Sequence, residues 1–322
     1  MAAWLVLEQY KKLPNKGKPT LRSNGVQEWT ILAGVVVERD GEWECVALST
    51  GLKAMPETII ANGGGKILHD MHAEILALRA FNRWILGQCL EPTSGWIEKV
   101  GPKFKARENL RVFLYVSAPP CGDASMSLFQ GESWESKPEG LLIRGRNHYG
   151  YLGYLRTKPG RQDSELTLSK SCTDKLAFRQ QTSILLGPTR RIVEPIYLTM
   201  LVCPVLPDFD RAFRRWPAAN YFSWQEPQFT FADAQAPTKA PSPTSLVWVS
   251  PNLQEVIVNG VRQGSKLGSG KGASIVSRFE IAKLVKAIEQ TSATSYLSWK
   301  ATADKEYPPG WQRTAMDDFE LI

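Results

Sequence analysis

Apolar residues set the rhythm of this chain. Trp29 to Val37 is rich in Ile, Val and Leu and predicts a strand, and Trp43 to Leu48 predicts a second. Asp40-Gly41 between them is a hairpin turn pair, so the two strands should fold back on each other. Leu110 to Ser117 is a continuous apolar run, the pattern of a strand covered on both faces. Helical spacing shows elsewhere. Ile75, Leu76, Leu78 and Phe81 line one face of a helix that opens at Met71-His72-Ala73-Glu74 and runs to about Leu86. Trp4, Leu5, Leu7 and Tyr10 predict a short helix over 4–12. Ala124 to Phe129 looks helical, and so does the stretch from Ser171 to about Leu186, with Ser171 or Thr173 as its cap. Ser277-Arg278-Phe279-Glu280 is a capping box opening another helix, and Tyr296 to Lys300 lies in or near one more. Ile192 to Val202 is apolar, and Leu246–Val249 with Val256–Gly264 reads as a strand pair near an Asn259-Gly260 turn.

Polar stretches separate these elements. Residues 51–66 form a loop containing Gly63-Gly64-Gly65, and 91–109 is a polar excursion. Residues 227–245, rich in Pro, Ala and Thr, read as a surface loop. Strands and helices alternate through the first 200 residues, which predicts a mixed α/β sheet with helices on its faces. The 322 residues allow two domains or one large one; with no internal repeat, one domain over 1–322 is expected.

Composition narrows the functional classes. A net charge of +7 suits a polyanionic partner such as nucleic acid, and equally suits simple solubility. Arg144, Arg146, His148, Arg156, Lys158 and Arg161 interleave with Tyr149, Tyr151 and Tyr154, a mixture able to stack on bases and neutralise phosphates. Five cysteines without framework spacing predict reduced thiols in an intracellular protein, cytoplasmic or nuclear and not secreted. No apolar run approaches a membrane span, and no obligatory protein partner is evident.

The candidate chemistry starts at His72 and Glu74. An imidazole there can hold a metal, and a carboxylate two residues on can reach water beside that metal without being a ligand. A helix N-terminus with one exposed His and a Glu suited to the dipole would look the same. A catalytic zinc site takes three protein ligands. Cys121, in a Pro-Cys turn between strand and helix, is a second candidate, its thiol favoured as thiolate by the helix N-terminus. The residue three positions on is Ala124, so a Pro-Cys-x-x-Cys pair is not completed locally. Either there is no zinc site or a distant residue completes it. Cys45, Cys89 and Cys203 sit in apolar settings or at a helix end and read as small buried hydrophobes, whereas Cys172 is flanked by Ser, Thr, Asp and Lys at a helix start. Cys172 is therefore assigned as the third ligand.

His72-Ala73-Glu74, Pro120-Cys121-Gly122-Asp123 and Ser171-Cys172-Thr173-Asp174-Lys175 together resemble the three motifs of the adenosine deaminase domain shared by RNA-editing enzymes and tRNA-specific adenosine deaminases. Val193-Glu194-Pro195-Ile196-Tyr197 resembles a further family segment, and Ala124-Ser125-Met126 and Arg156-Thr157-Lys158-Pro159-Gly160-Arg161 resemble the tRNA branch. The resemblance implies a cytidine-deaminase-like mixed sheet with a C-terminal helical and strand extension. It implies hydrolytic deamination of adenosine to inosine, with zinc on His72, Cys121 and Cys172 and Glu74 as general acid/base. The substrate implied is the adenosine 3′ of the anticodon, position 37, in alanine tRNA. It also implies a buried inositol hexakisphosphate, with contacts falling on Arg79, Ser169, Lys175, Tyr296, Lys300, Trp311 and Asp317, linked to the zinc through Asp70 and Lys158. Leu78, Phe178 and His69 depart from the family there, standing where RNA editors have Arg, Arg and Asn. The competing readings are editing of double-stranded RNA and a non-catalytic zinc-containing RNA-binding subunit. The sequence lacks a double-stranded RNA-binding domain, and Pro159-Gly160-Arg161 stands where editors carry a glycine-glutamate loop. Retention of Glu74 argues against the inactive subunit. A free-nucleoside deaminase would leave the basic loops without a role.

Overall fold

In chain order the elements are α1 (Ala2–Lys12), β1 (Glu28–Trp29), β2 (Leu32–Arg39), β3 (Glu42–Thr50), β4 (Leu52–Ala54), α2 (Glu57–Ile60), β5 (Asp70–His72), α3 (Ala73–Gln88), β6 (Ile97–Val100), β7 (Lys103–Ala106), β8 (Arg111–Val116), a 3-10 turn at Asp123–Leu128, α4 (Cys172–Thr182), α5 (Gly187–Ile192), β9 (Met200–Val202), α6 (Phe209–Arg214), β10 (Ser223–Gln225), β11 (Ala240–Pro241), β12 (Ser245–Val249), β13 (Leu253–Val258), β14 (Val261–Arg262) and α7 (Arg278–Glu289). They come from a computed structural model, which describes residues 1–61, 63–128, 143–144, 150–158, 164–165, 167–267, 271–290, 295–296, 307–308, 310–312 and 319–320.

Eight strands form one mixed sheet in the order β10-β9-β8-β2-β3-β12-β13-β14. β8, β9 and β10 run parallel, and the rest pair antiparallel. Asp40 and Gly41 both take positive φ, as a tight β2–β3 hairpin requires. Each face of the sheet is covered. On one, Val6 and Tyr10 of α1 pack with Leu32, Leu48 and Tyr115; on the other, α3 packs with Ala47, Leu114 and Val247. α3 is buried well beyond one stripe: Leu76, Ala77, Ala80, Phe81 and Ile85 are inaccessible, while Ile75, expected on the buried face, is half-buried.

Several boundaries shift for local reasons. His72 does not lie in the first turn of α3. It ends β5 and occupies the N-cap position with extended backbone, which turns its side chain away from the helix axis. α4 starts where expected, with the Ser171 hydroxyl accepting from the Asp174 N–H, but stops at Thr182, short of Leu186. Ser183 takes φ 128 there, and its hydroxyl bonds Ile196 O, so Ile184 and Leu185 turn into the core. Between Ile192 and Val202 only Met200–Val202 joins the sheet; Pro195 lacks the N–H that a ladder needs. The excursion at 91–109 contains the β6–β7 hairpin. Residues 227–245 run over the surface but are pinned: Phe231 stacks edge-on against Tyr10 at 5.2 Å, and β11 pairs with β1.

Candidate metal centre and its surroundings

The strand ends near Leu32, Thr50 and Val116 lie at one edge of the sheet, since Leu32 pairs with Thr50 and accepts from the Ser117 N–H. The chain leaving β8 passes Pro119-Pro120 to Cys121, β5 delivers His72 beside Gly51, and α4 begins at Cys172. The three side chains converge. His72 Nδ1 lies 3.6 Å from Cys121 Sγ and 3.5 Å from Cys172 Sγ, and the three potential ligand atoms fall within 4.8 Å of one another. Cys45, Cys89 and Cys203 lie elsewhere as free thiols, Cys45 and Cys203 buried.

The donor set fits zinc: one imidazole nitrogen and two thiols, each on a different segment, within reach of a single ion. Protonation points the same way. The hydrogen bond from Cys172 holds the Cys121 thiol well below the ordinary range, while burial and the Cys121 neighbour push Cys172 up. A divalent cation beside both sulfurs would favour the thiolate of each. The Cys172 N–H, at the start of α4, also points at Cys121 Sγ from 3.4 Å. Glu74, in the first turn of α3, is 1 % exposed, and its Oε2 meets no hydrogen-bond partner among the described residues. A buried carboxylate oxygen without a partner is open to accept from a group that enters the site.

Behind the thiols lies a buried polar relay. Lys158 Nζ donates to Cys172 Sγ at 3.0 Å and to Asp70 Oδ2 at 2.6 Å. Lys175 donates to the same Asp70 oxygen and, at 2.7 Å, to Ser169 Oγ. Asp70 Oδ1 accepts the His72 N–H at 3.0 Å, fixing the backbone of that candidate ligand. Burial by itself would raise the Asp70 carboxyl, but Lys158 and Lys175 outweigh it and hold the group far below the usual carboxylate range. Burial would likewise lower Lys158; Asp70 and Cys172 reverse that and keep it charged.

The remaining residues assigned to the inositol phosphate divide. Arg79 donates to Val276 O at 2.6 Å, while its buried second terminal nitrogen has no partner among the described residues. Burial, with Arg278 and Arg179 nearby, pushes this guanidinium down to about 10. It lines a cavity of about 170 Å³ together with Arg179, Arg190, Arg278, Phe178 and Tyr296. Tyr296 stacks on Phe319 at 4.5 Å. Trp311 stands 5.2 Å from Phe178, which itself stacks on Tyr307 at 5.0 Å. Leu78 is in the apolar core, and His69 contacts Arg278. Lys300 and Asp317 lie outside the described residues. Sequence reasoning passed over Arg179, Arg190 and Arg278 as cavity residues, because their convergence needs α4, α5 and α7 side by side.

A mixed sheet that gathers an imidazole, two thiols and a buried His-x-Glu carboxylate at one edge has the arrangement of the zinc nucleobase deaminases. The chain belongs to the adenosine-deaminase (editase) domain family, which it matches over residues 47–313. It is 39 % identical to the tRNA-specific adenosine deaminase 1 of Schizosaccharomyces pombe, over 93 % of this chain and 88 % of that protein. It is 33 % identical to the Saccharomyces cerevisiae protein of the same name, over 97 % of this chain and 92 % of that protein. The double-stranded RNA-specific editase B2 of Mus musculus is 28 % identical over 53 % of this chain and 26 % of its own length. Among the described residues, no helix is long and apolar enough to cross a membrane.

Proposed function

We propose that this protein deaminates adenosine to inosine in tRNA, consuming one water and releasing one ammonia per base. The observation that carries the reading is the convergence of His72, Cys121 and Cys172, with the buried Glu74 two residues from His72 and its Oε2 without a partner among the described residues, in a chain similar over most of its length to tRNA-specific deaminases. His72, Cys121 and Cys172 would hold zinc. When bound, zinc makes water acidic enough to serve as a nucleophile near neutral pH. Glu74 takes one proton from water and delivers it to adenine N1, then takes the second from the new C6 hydroxyl and gives it to the amino group, which departs as ammonia. Asp70 fixes the His72 backbone, and the Lys158 ammonium offsets negative charge on Cys172.

A base within a helical stack is out of reach of a recessed carboxylate, so the target is flipped or lies in a loop. The substrate is taken as the adenosine at position 37 of alanine tRNA. Basic stretches at 11–22 and 103–107 would supply backbone contacts; in the third basic stretch, 144–161, Arg156 and Lys158 are instead buried inside the protein. The second stretch belongs to the β6–β7 hairpin, near Arg39 and Arg111 at the far end of β2. At ~3.3 Å per residue that is roughly 25 Å from the thiols, a span that suits whole tRNA more than an isolated loop. Inositol hexakisphosphate would be held by Arg79, Ser169, Lys175, Tyr296, Lys300, Trp311 and Asp317, with Asp70 and Lys158 linking it to the metal centre; the Arg79 terminal nitrogen that has no acceptor among the described residues supports this reading.

The test is direct. Purified protein is incubated with alanine tRNA, and inosine is read by sequencing. Glu74→Gln is expected to keep zinc and tRNA binding while losing inosine formation by about 100- to 10,000-fold or more. Near-normal turnover by that variant would assign the proton transfers to another group.

A further inference from the structure

The two thiols share a local sequence: Cys121-Gly122-Asp123 and Cys172-Thr173-Asp174, each with an aspartate two residues on. Both aspartates are fully buried. Both are taken by arginines of one helix. Arg211, in α6, places Nε 3.3 Å from Asp123 Oδ2 and donates to the Asp123 carbonyl at 3.0 Å. Arg215, the residue at the C-cap of α6 with helical backbone, pairs with Asp174 Oδ1. Positions four apart on a helix share a face about one turn apart. The two guanidinium groups therefore hold the two Cys-x-Asp segments at a spacing set by a helical turn.

We propose that Arg211 and Arg215 are positioning residues for the metal centre, fixing how far apart the Cys121 and Cys172 thiols stand. The inference rests on those thiols being zinc ligands. Each arginine is itself held. Arg211 donates to Asp208 at 2.6 Å, and Asp208 accepts the Ser127 N–H at 2.7 Å. Arg215 lies under the Trp216 ring at 4.2 Å. Each aspartate has further partners that hold it in place. Asp174 Oδ2 accepts from Ser171 Oγ at 2.6 Å and from the Arg156 N–H at 2.9 Å, and Asp123 Oδ1 accepts the Gly153 N–H at 2.9 Å. Between the segments, Thr173 Oγ1 donates to Cys121 O at 3.0 Å and accepts the Ala124 N–H at 3.2 Å. Neither arginine reaches the ligand atoms; each acts through the backbone turn that carries a thiol. A planar fork suits this because it fixes direction as well as charge.

The experiment uses the full chain with Arg211→Gln, Arg215→Gln and the matching Lys variants. Zinc retention is measured against a competing chelator, and the cobalt-substituted protein gives a visible spectrum sensitive to the angle between thiolates. The Gln variants are expected to bind zinc about 10- to 100-fold more weakly, the usual effect of removing a group that orients a ligand. Their cobalt bands should shift while KM for tRNA stays near the wild type. The Lys variants should fall between, keeping charge but losing the fork. Gln variants that retain zinc and the cobalt spectrum of the wild type overturn the proposal. So does a zinc loss that the Lys variants do not lessen, which marks general loosening. If the Gln variants do not fold, the Lys pair decides: weaker zinc at an unchanged melting temperature supports positioning, and unchanged zinc overturns it. A wild-type protein holding no zinc or cobalt would sink the metal assignment itself and this inference with it.

Discussion

Asp70 shows how much one side chain can organise. It accepts from the ammonium groups of buried Lys158 and half-buried Lys175 and from the His72 N–H, so the relay and the His72 backbone meet on one carboxylate. Asp70→Asn would leave both ammonium groups without their counter-charge. Removing one partner of a buried ion pair typically costs about 3–5 kcal/mol, and denaturant unfolding should find a loss of that order. A loss under ~1 kcal/mol would mean that another anion already neutralises the lysines. At this scale the sequence was informative where chemistry is local. His72, Glu74 and Cys121 announce themselves by type and spacing, and Cys172 by polar neighbours unlike those of Cys45 or Cys203. Asp123 and Asp174 carry no such signal, since an aspartate is ordinary near a helix start until its partner is known.

The two thiol-bearing turns also fit each other as elements. Gly122 takes φ +108, and a Cβ there would stand 2.3 Å from Ser171 Oγ, the cap of α4. Gly122→Ala must therefore strain its own backbone and push α4 away from the Cys121 turn. We expect a destabilisation of about 1–3 kcal/mol, seen as a lower melting temperature together with reduced zinc content. Gly41→Ala is the control: its φ is +91, but nothing lies within 4 Å of the added methyl, so zinc content should not change. Equal zinc in both variants would show that the Cys121 turn yields without cost to the site. The helix starts at Ser171 and Ser277 were legible because a capping hydroxyl bonds within three residues. The end of α4 was not. Ser183 and Ile184 leave the helix to meet Ile196 of the chain that follows, a tertiary demand that overrides helical spacing.

Across the whole molecule, α3, α4, α5 and α7 bring Arg79, Arg179, Arg190 and Arg278 round one cavity. A polyanion is the ligand class that four guanidinium groups round one cavity would suit. Mass spectrometry of the purified, denatured protein is expected to find an inositol polyphosphate at about one per chain, a stoichiometry set by a ligand that fills one site. Soluble, active protein that releases none would mean that Leu78 and Phe178 accompany loss of this ligand. Phe178 already has other company, stacked on Tyr307 and in tilted contact with Trp311.

Local order along the chain determined much of this protein. The β2–β3 hairpin, β8, the α3 stripe and the caps of α4 and α7 all depend on residues a few positions apart, and periodicity and turn chemistry report such neighbours. Ligand types were equally fixed by residue identity. Tertiary structure decided which of those residues meet. His72 lies 49 residues from Cys121 and 100 from Cys172, and no spacing rule spans such distances. It also decided that the fully buried Arg156 would sit among Asp123, Asp174, Arg211 and Arg215 rather than in an exposed glycine-rich loop. A buried charge is tolerated only where opposite charge is already in place, and that place exists only once the sheet and its helices have closed around it.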